Sequence, residues 1–346
     1  MSHQEIESVS SNEQTMKQAF RNQAKTILAS LDQFQKDGHK IRCGLEIEYS
    51  LVDDALIQTP EHIRNEIVKE NISYADLELG AGQIELRTDP IDLRNNSNLL
   101  FDQLSERDRQ LSISAHHKST RVLSHGTNPF VIIKDIHRSD LPKYKLVPNF
   151  YNTNRTAAST TIGESGVDIG DAAIIGICNS VQANIEAQSA RDAIDKVNRS
   201  FQIGPMAVSA FANARFLETT DTGIQDVRMI AWEISHDTRS KEEIKNGRNT
   251  RVGLPEHYYT SMQDYFHQIE RHPFILNAPQ AALFVGIGLN WRDARIKVID
   301  KSLVVEFRPV STQSSPEKNF ASMMFYVGRL LWSQQENEPL LPMEKV

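Results

Sequence analysis

Hydrophobic residues along this chain follow two periods, and the changes of period mark out its elements. Met16, Phe20, Ala24, Ile27, Leu31 and Phe34 fall at the three-and-four spacing of one helix face. Ser11 or Asn12 can cap the start of that helix, and Asp37-Gly38 can end it. From residue 41 the period falls to two. Cys43, Leu45, Ile47, Tyr49 and Leu51 alternate with Glu46 and Glu48, so a strand there buries one face and turns both glutamates to the other. Residues 178–186 set Val181, Ala183 and Ile185 against Ser180, Gln182, Asn184 and Glu186, and residues 303–308 set Leu303, Val305 and Phe307 against Glu306 and Arg308. Residues 77–88 read as two short β runs around Gly80-Ala-Gly82. A four-residue loop over Gly80–Gln83 would place Glu78 directly across from Glu85, whereas a three-residue loop would put them on opposite faces. Helical spacing returns over 93–113, through Leu100, Leu104 and Leu111, and again over 191–235. Ser315-Pro316-Glu317 opens a last helix whose stripe of Phe320, Met323, Met324, Val327, Leu330 and Leu331 reads as core. Arg121-Val-Leu-Ser124 is a short strand leading out to His125, and residues 135–170 lack periodicity and read as a mobile loop or a plain surface excursion.

The polar faces of these strands carry the chemistry. Two carboxylates two residues apart on a strand lie about 7 Å from each other, a costly arrangement unless something positive sits between them. Glutamate is a poor strand former, yet Glu46, Glu48, Glu78, Glu85 and Glu306 all fall in strand-like runs. Hard oxygen donors without cysteine or paired histidine suit Mg²⁺ or Mn²⁺ and not zinc. His236 and the pair His116–His117 have no partner at metal-ligand spacing. No phosphate-loop or dinucleotide fingerprint is present, and Gly286-Ile-Gly288 is too short to make one. A bound nucleotide would therefore have to be held by metals and arginines, with Arg228, Arg239, Arg295 and Arg308 as the candidates. His125 and Asn184 are further candidates for touching substrate.

Composition narrows the classes without choosing among them. The chain has 346 residues, a formal net charge of −7 and no basic block, which argues against nucleic acid as a partner. Its two cysteines, Cys43 and Cys178, lie among apolar neighbours and read as reduced core residues. No apolar run is long enough for a membrane span and no signal-peptide pattern is present, so the expected compartment is cytoplasmic. Residues 1–40 read as a helical segment packed on the core, and 41–346 as a single domain.

Six segments, in order, resemble the glutamate–cysteine ligases, and especially the plant-type and bacterial carboxylate–amine ligases. They are Gly44-Leu-Glu-Ile-Glu48, Glu78…Glu85, Ser180-Val-Gln-Ala-Asn-Ile-Glu186, Arg228-Met229, Trp232…Asp237-x-Arg239 and Val305-Glu-Phe-Arg308. The likeness runs from about residue 40 to 330 and implies an α+β fold shared with glutamine synthetase. In that fold a curved antiparallel sheet holds ATP, metals and substrate on its concave face, and helices pack outside. By resemblance, Glu48, Glu78 and Glu85 would hold one Mg²⁺ (or Mn²⁺) ion. Glu46, Glu306 and the side-chain oxygen of Gln182 would hold a second. Arg308 and Arg228 would grip substrate carboxylate or the transferring phosphate. The implied activity is ATP-dependent γ-glutamyl ligation through an acyl phosphate, with L-glutamate as acid and L-cysteine as the expected amine. A ligase for another acid or amine, a silent binding protein of the same fold and a guanidino-kinase-type phosphotransferase are the alternatives.

Overall fold

The structure is a computed structural model that describes residues 13–36, 38, 40–156, 160–164 and 166–346. The expected caps Ser11 and Asn12, and Asp37, lie outside the described residues. An eight-stranded sheet carries the molecule. Its strands are β1 (Arg42–Asp53), β2 (Ala75–Leu77), β3 (Gln83–Arg87), β4 (Ile91–Asp92), β5 (Thr120–Leu123), β6 (Ser180–Ala187), β7 (Ala294–Ile299) and β8 (Ser302–Ser311). The order is β7-β8-β6-β1-β3-β2, with β4 and β5 also pairing to β1, and every pairing is antiparallel. The sheet curls into an open half-barrel.

Alternation decides which face goes inside. Cys43, Leu45, Ile47, Tyr49, Val181, Ala183, Ile185 and Phe307 are all buried in one cluster with residues of helices α3 (Leu93–His116), α5 (Ala190–Ala210) and α10 (Pro316–Gln335). Phe307 stacks flat on Tyr326 of α10, ring centroids 3.8 Å apart, a contact worth about 0.5–1.5 kcal/mol beyond the area it buries. Side chains at alternate positions, Glu46, Glu48, Glu85 and Glu306 among them, are thereby forced to the opposite, concave face. Helix α1 (Glu13–Leu28) buries Met16, Phe20 and Ala24 against α8 (Met262–Glu270) and α9 (Ala282–Gly288). It stops at Leu28, and Leu31 and Phe34 of the same stripe continue in a 3-10 turn.

Three expectations need correction. The stretch 191–235 is not continuously helical: α5 ends at Ala210, short strands follow at Phe216–Leu217 and Thr220–Asp221, and only Arg228–Ser235 (α6) resumes, with the short α7 (Lys241–Lys245) beyond it. Apolar spacing persisted there because the intervening loop also packs inward through Ala214, Leu217 and Val227. Residues 135–170 are not one loop. Helix α4 (Pro142–Asn154) opens on a proline at its first turn, and it buries Val147, Pro148 and Tyr151. Its polar face hid the period.

The third correction concerns register. Glu85 of β3 lies opposite Asp76 of β2, not Glu78, because β2 ends at Leu77 and the connection spans Glu78–Gly82. Glu78 nevertheless stays on the Glu85 side, two residues further along. The loop carrying it is anchored by the fully buried Arg64 of helix α2 (Glu61–Glu70). One Arg64 Nη donates to the carbonyls of Glu78, Gly80 and Gln83 at 3.3, 3.1 and 3.1 Å. Glycine is required at position 80, where a Cβ would sit 2.0 Å from the Gly176 carbonyl oxygen. Arg64→Met is expected to lower stability by about 3–5 kcal/mol in denaturant unfolding, because several buried carbonyls lose their donor.

Burial raises both thiols to about 12, so neither is a thiolate at neutral pH. Cys43→Ser and Cys178→Ser are each expected to lower Tm while turnover stays near wild type. Substrate-protected inactivation by a thiol-alkylating reagent would contradict this.

Candidate active site on the concave face

Glu48 of β1 sits opposite Glu85 of β3, and Glu78 joins them from the loop after β2. One carboxylate oxygen from each lies within 4.8 Å of the other two. The strand on the far side fixes Glu48. Ser180 donates its backbone N–H and its hydroxyl to Glu48 Oε2 at 2.7 and 2.9 Å, and Gln182 Nε2 donates to Oε1 at 3.1 Å. Burial of the trio opposes ionisation, and mutual repulsion adds to it. Desolvation and then Glu48 push Glu78 up to about 7. Desolvation and the other glutamates raise Glu85 well above the carboxylate range. Three crowded carboxylates short of positive charge are suited to a hard cation. An octahedral Mg²⁺ takes oxygens about 3–4 Å apart around it, which this trio can supply.

Glu78 is harder to deprotonate in the fold than in the unfolded chain, where its pKa is about 4.3. Between about 4.3 and about 7 the folded state therefore holds more protons, and stability falls as pH rises through that window. Without divalent metal, wild type is expected to lose Tm from pH 5 to 8 relative to Glu78→Gln. Added Mn²⁺ should recover most of that loss at the alkaline end. Parallel Tm curves for the two proteins would refute this.

Glu306 of β8 is placed differently. It is fully buried and ringed by cations: Arg295 forms an ion pair with it, Lys297 Nζ lies 2.8 Å from Oε1, and Arg308 Nε lies 3.7 Å from Oε2. Burial would raise its pKa, but Arg295, Lys297 and Arg308 outweigh that and hold it well below the ordinary range. Glu46 reaches the same lysine at 3.3 Å. Lys297 is not among the residues that the sequence motifs single out, although Arg295-Ile-Lys297 alternates just as the glutamate strands do. Pairing of Arg295 with Glu306 puts both cations of β7 on the concave face.

Arg308 follows Glu306 at a register irregularity between Phe307 and Val310, and its Nη1 is buried without a partner among the described residues. Asn184, paired to both Gly44 and Glu306, likewise leaves its buried Oδ1 unpartnered. Arg228 donates to the Pro309 carbonyl and, at 3.3 Å, to Ser311 Oγ, so it braces the end of β8. A small cavity beside Glu48 is lined by Arg228, Arg308, Trp232, Trp291 and Asp293. Asp293 has a buried Oδ1 without a partner among the described residues, and burial lifts its pKa to about 6.

Two candidates lie apart from this group. Arg239 is held at 2.9 and 2.8 Å by Asp237 and lines a second cavity of about 180 Å³ with Arg248 and Arg251. His125 is exposed, and its contribution to the surroundings of the site is a backbone carbonyl that accepts from Asn179 at 2.9 Å. Arg295 does join the site, but as the partner of Glu306 and a donor to the Gly288 carbonyl at the end of α9.

The family model described as glutamate–cysteine ligase family 2 (GCS2) matches residues 42–339. The protein belongs to that family. This bears out the resemblance carried by the six segments. A bifunctional glutathione synthetase from Pasteurella multocida has a similar fold, with TM-score 0.50 and 13% identity over 89% of this chain and 39% of that one. A glutamate–cysteine ligase from Francisella tularensis, solved in complex with AMP, is similar with TM-score 0.51 and 13% identity over 86% of this chain and 67% of that one. No curated protein matches. At such identity these structures bear on the fold alone, and the chain spans well under half of the synthetase's length. The family model carries the membership, and the fold agrees with it. No described helix is long and apolar enough to cross a membrane.

Proposed function

We propose that this GCS2 protein is an ATP- and Mg²⁺-dependent ligase that joins the γ-carboxylate of L-glutamate to an amine, with L-cysteine the first amine to test. The observation that carries the reading is the under-compensated trio Glu48, Glu78 and Glu85 beside Arg308, whose buried Nη1 has no partner among the described residues. A carboxylate oxygen is too poor a leaving group for direct attack by an amine in water. Transfer of the γ-phosphoryl group of ATP to that oxygen gives an acyl phosphate and ADP. Attack by the neutral amine at the carbonyl carbon then forms the amide and expels phosphate. Phosphoryl transfer asks the protein mainly for positioning and charge compensation.

Each residue then has a place. Glu48, Glu78 and Glu85 would hold a divalent ion, which supplies charge neutralisation at the phosphates. Arg308 offers its unpaired Nη1 to the substrate carboxylate and the acyl phosphate formed from it. Arg228 keeps the end of β8, and with it Arg308, in place. Asp293 offers its unpartnered oxygen to a substrate ammonium group.

The test is ADP release by the purified protein with Mg-ATP and L-glutamate across a panel of amines, with product identified by mass. A γ-glutamyl amide with one amine strongly preferred is the expected result. ADP release that needs a different acid would move the assignment to another carboxylate–amine ligase. No release with any pair would remove it.

A further inference from the structure

The second metal position implied by the resemblance, Glu46 with Glu306 and Gln182, does not fit a divalent ion in this chain. We propose that Lys297 is its permanent cation, so that the protein's own side chains hold one divalent ion, at Glu48–Glu78–Glu85, and not two. The inference rests on the metal-dependent reading above.

Strand geometry fixes the lysine. Arg295 pairs with Glu306 and Lys297 with Val304, so alternation along β7 puts both basic side chains on the concave face. Glu306 pairs with Asn184 of β6, and Glu46 of β1 pairs with Gln182 of the same strand. The two glutamates thus stand on either side of β6, and the long stem of Lys297 crosses to reach both, at 2.8 Å for Glu306 and 3.3 Å for Glu46. The second Glu306 oxygen is committed as well. Glu306 Oε2 faces Arg295 and Arg308, while the Gln182 amide is oriented by its nitrogen, which donates to Glu48 and to Ser180 Oγ at 3.2 Å.

Charge separates the two halves of the site. Around Glu306 and Glu46, two carboxylates meet three cations, Arg295, Lys297 and Arg308, so a divalent ion would enter a region already positive. Around Glu48, three carboxylates crowd together, and Arg308, Arg228 and Lys143 nearby offset them only in part. An ammonium also differs from a metal in what it can do. It cannot exchange with solvent ions, and it has three N–H donors, of which Glu46 and Glu306 take two. The third can meet an anionic oxygen of the substrate over the sheet.

Titration of nucleotide-free protein with Mn²⁺, with free ion read by electron paramagnetic resonance, decides the matter. Wild type is expected to bind one equivalent. Glu46→Gln and Lys297→Arg should each still bind one, and Glu48→Gln none, with circular dichroism checking that every variant folds. Two equivalents in wild type, falling to one in Glu46→Gln, would overturn the inference and leave the ligase reading standing. No binding by wild type would overturn both the metal reading and this inference.

Discussion

Replacing Glu48 by glutamine is expected to abolish ADP formation, by at least about three orders of magnitude, while the protein folds normally. Glu48 is the hub of the site. It faces Glu85 across β1–β3, meets Glu78, and receives three hydrogen bonds from Ser180 and Gln182. Glutamine keeps the shape and loses the charge, so the trio retains two carboxylates and offers a divalent ion one negative charge fewer. The same change relieves repulsion among buried acids, and in metal-free buffer the variant is expected to melt at or above the wild-type temperature. That combination, inactive but not destabilised, separates a metal ligand from a structural carboxylate. If Glu48→Gln kept normal turnover, the assignment of the concave face would fail.

The second large effect is expected at Arg308. Arg308→Lys keeps a positive charge next to Glu306, so electrostatic support of that buried carboxylate survives in part. What is lost is the planar fork, and with it the Nη1 that is buried without a partner among the described residues. Turnover should fall about 10²–10³-fold, with KM for Mg-ATP changed less than about threefold, because the interaction is made with the reacting group. An arginine serving only to pair with Glu306 predicts the opposite: a lowered Tm and nearly intact turnover. Measuring kcat, KM and Tm on the one variant distinguishes them.

The glutamate strands were legible because alternation is a local property. Once Cys43, Leu45, Ile47 and Tyr49 are committed to a buried face, Glu46 and Glu48 have only the other one. The same logic placed Gln182, Asn184, Glu306 and Arg308. Ordered motifs carried the family, and the matching family model spans residues 42–339. Alternation cannot state which strands become neighbours. That Glu48 faces Glu85, that Glu85 faces Asp76 and not Glu78, and that Arg64 reaches from α2 to hold the Glu78 loop depend on pairings and contacts distant along the chain. The helix at 142–154 was missed for a related reason, since its buried residues complete a surface made by other segments.

The sequence by itself thus determined the faces: which residues could look into the concave side of the sheet, and that carboxylates and arginines would dominate there. Only the tertiary structure decided how those charges divide. Register across β7, β8 and β6 gathers Arg295, Lys297 and Arg308 around Glu306, and brings Glu48, Glu78 and Glu85 together with less positive charge than would offset them. The physical reason is that charge compensation acts over a few ångströms in space, whatever the separation along the chain.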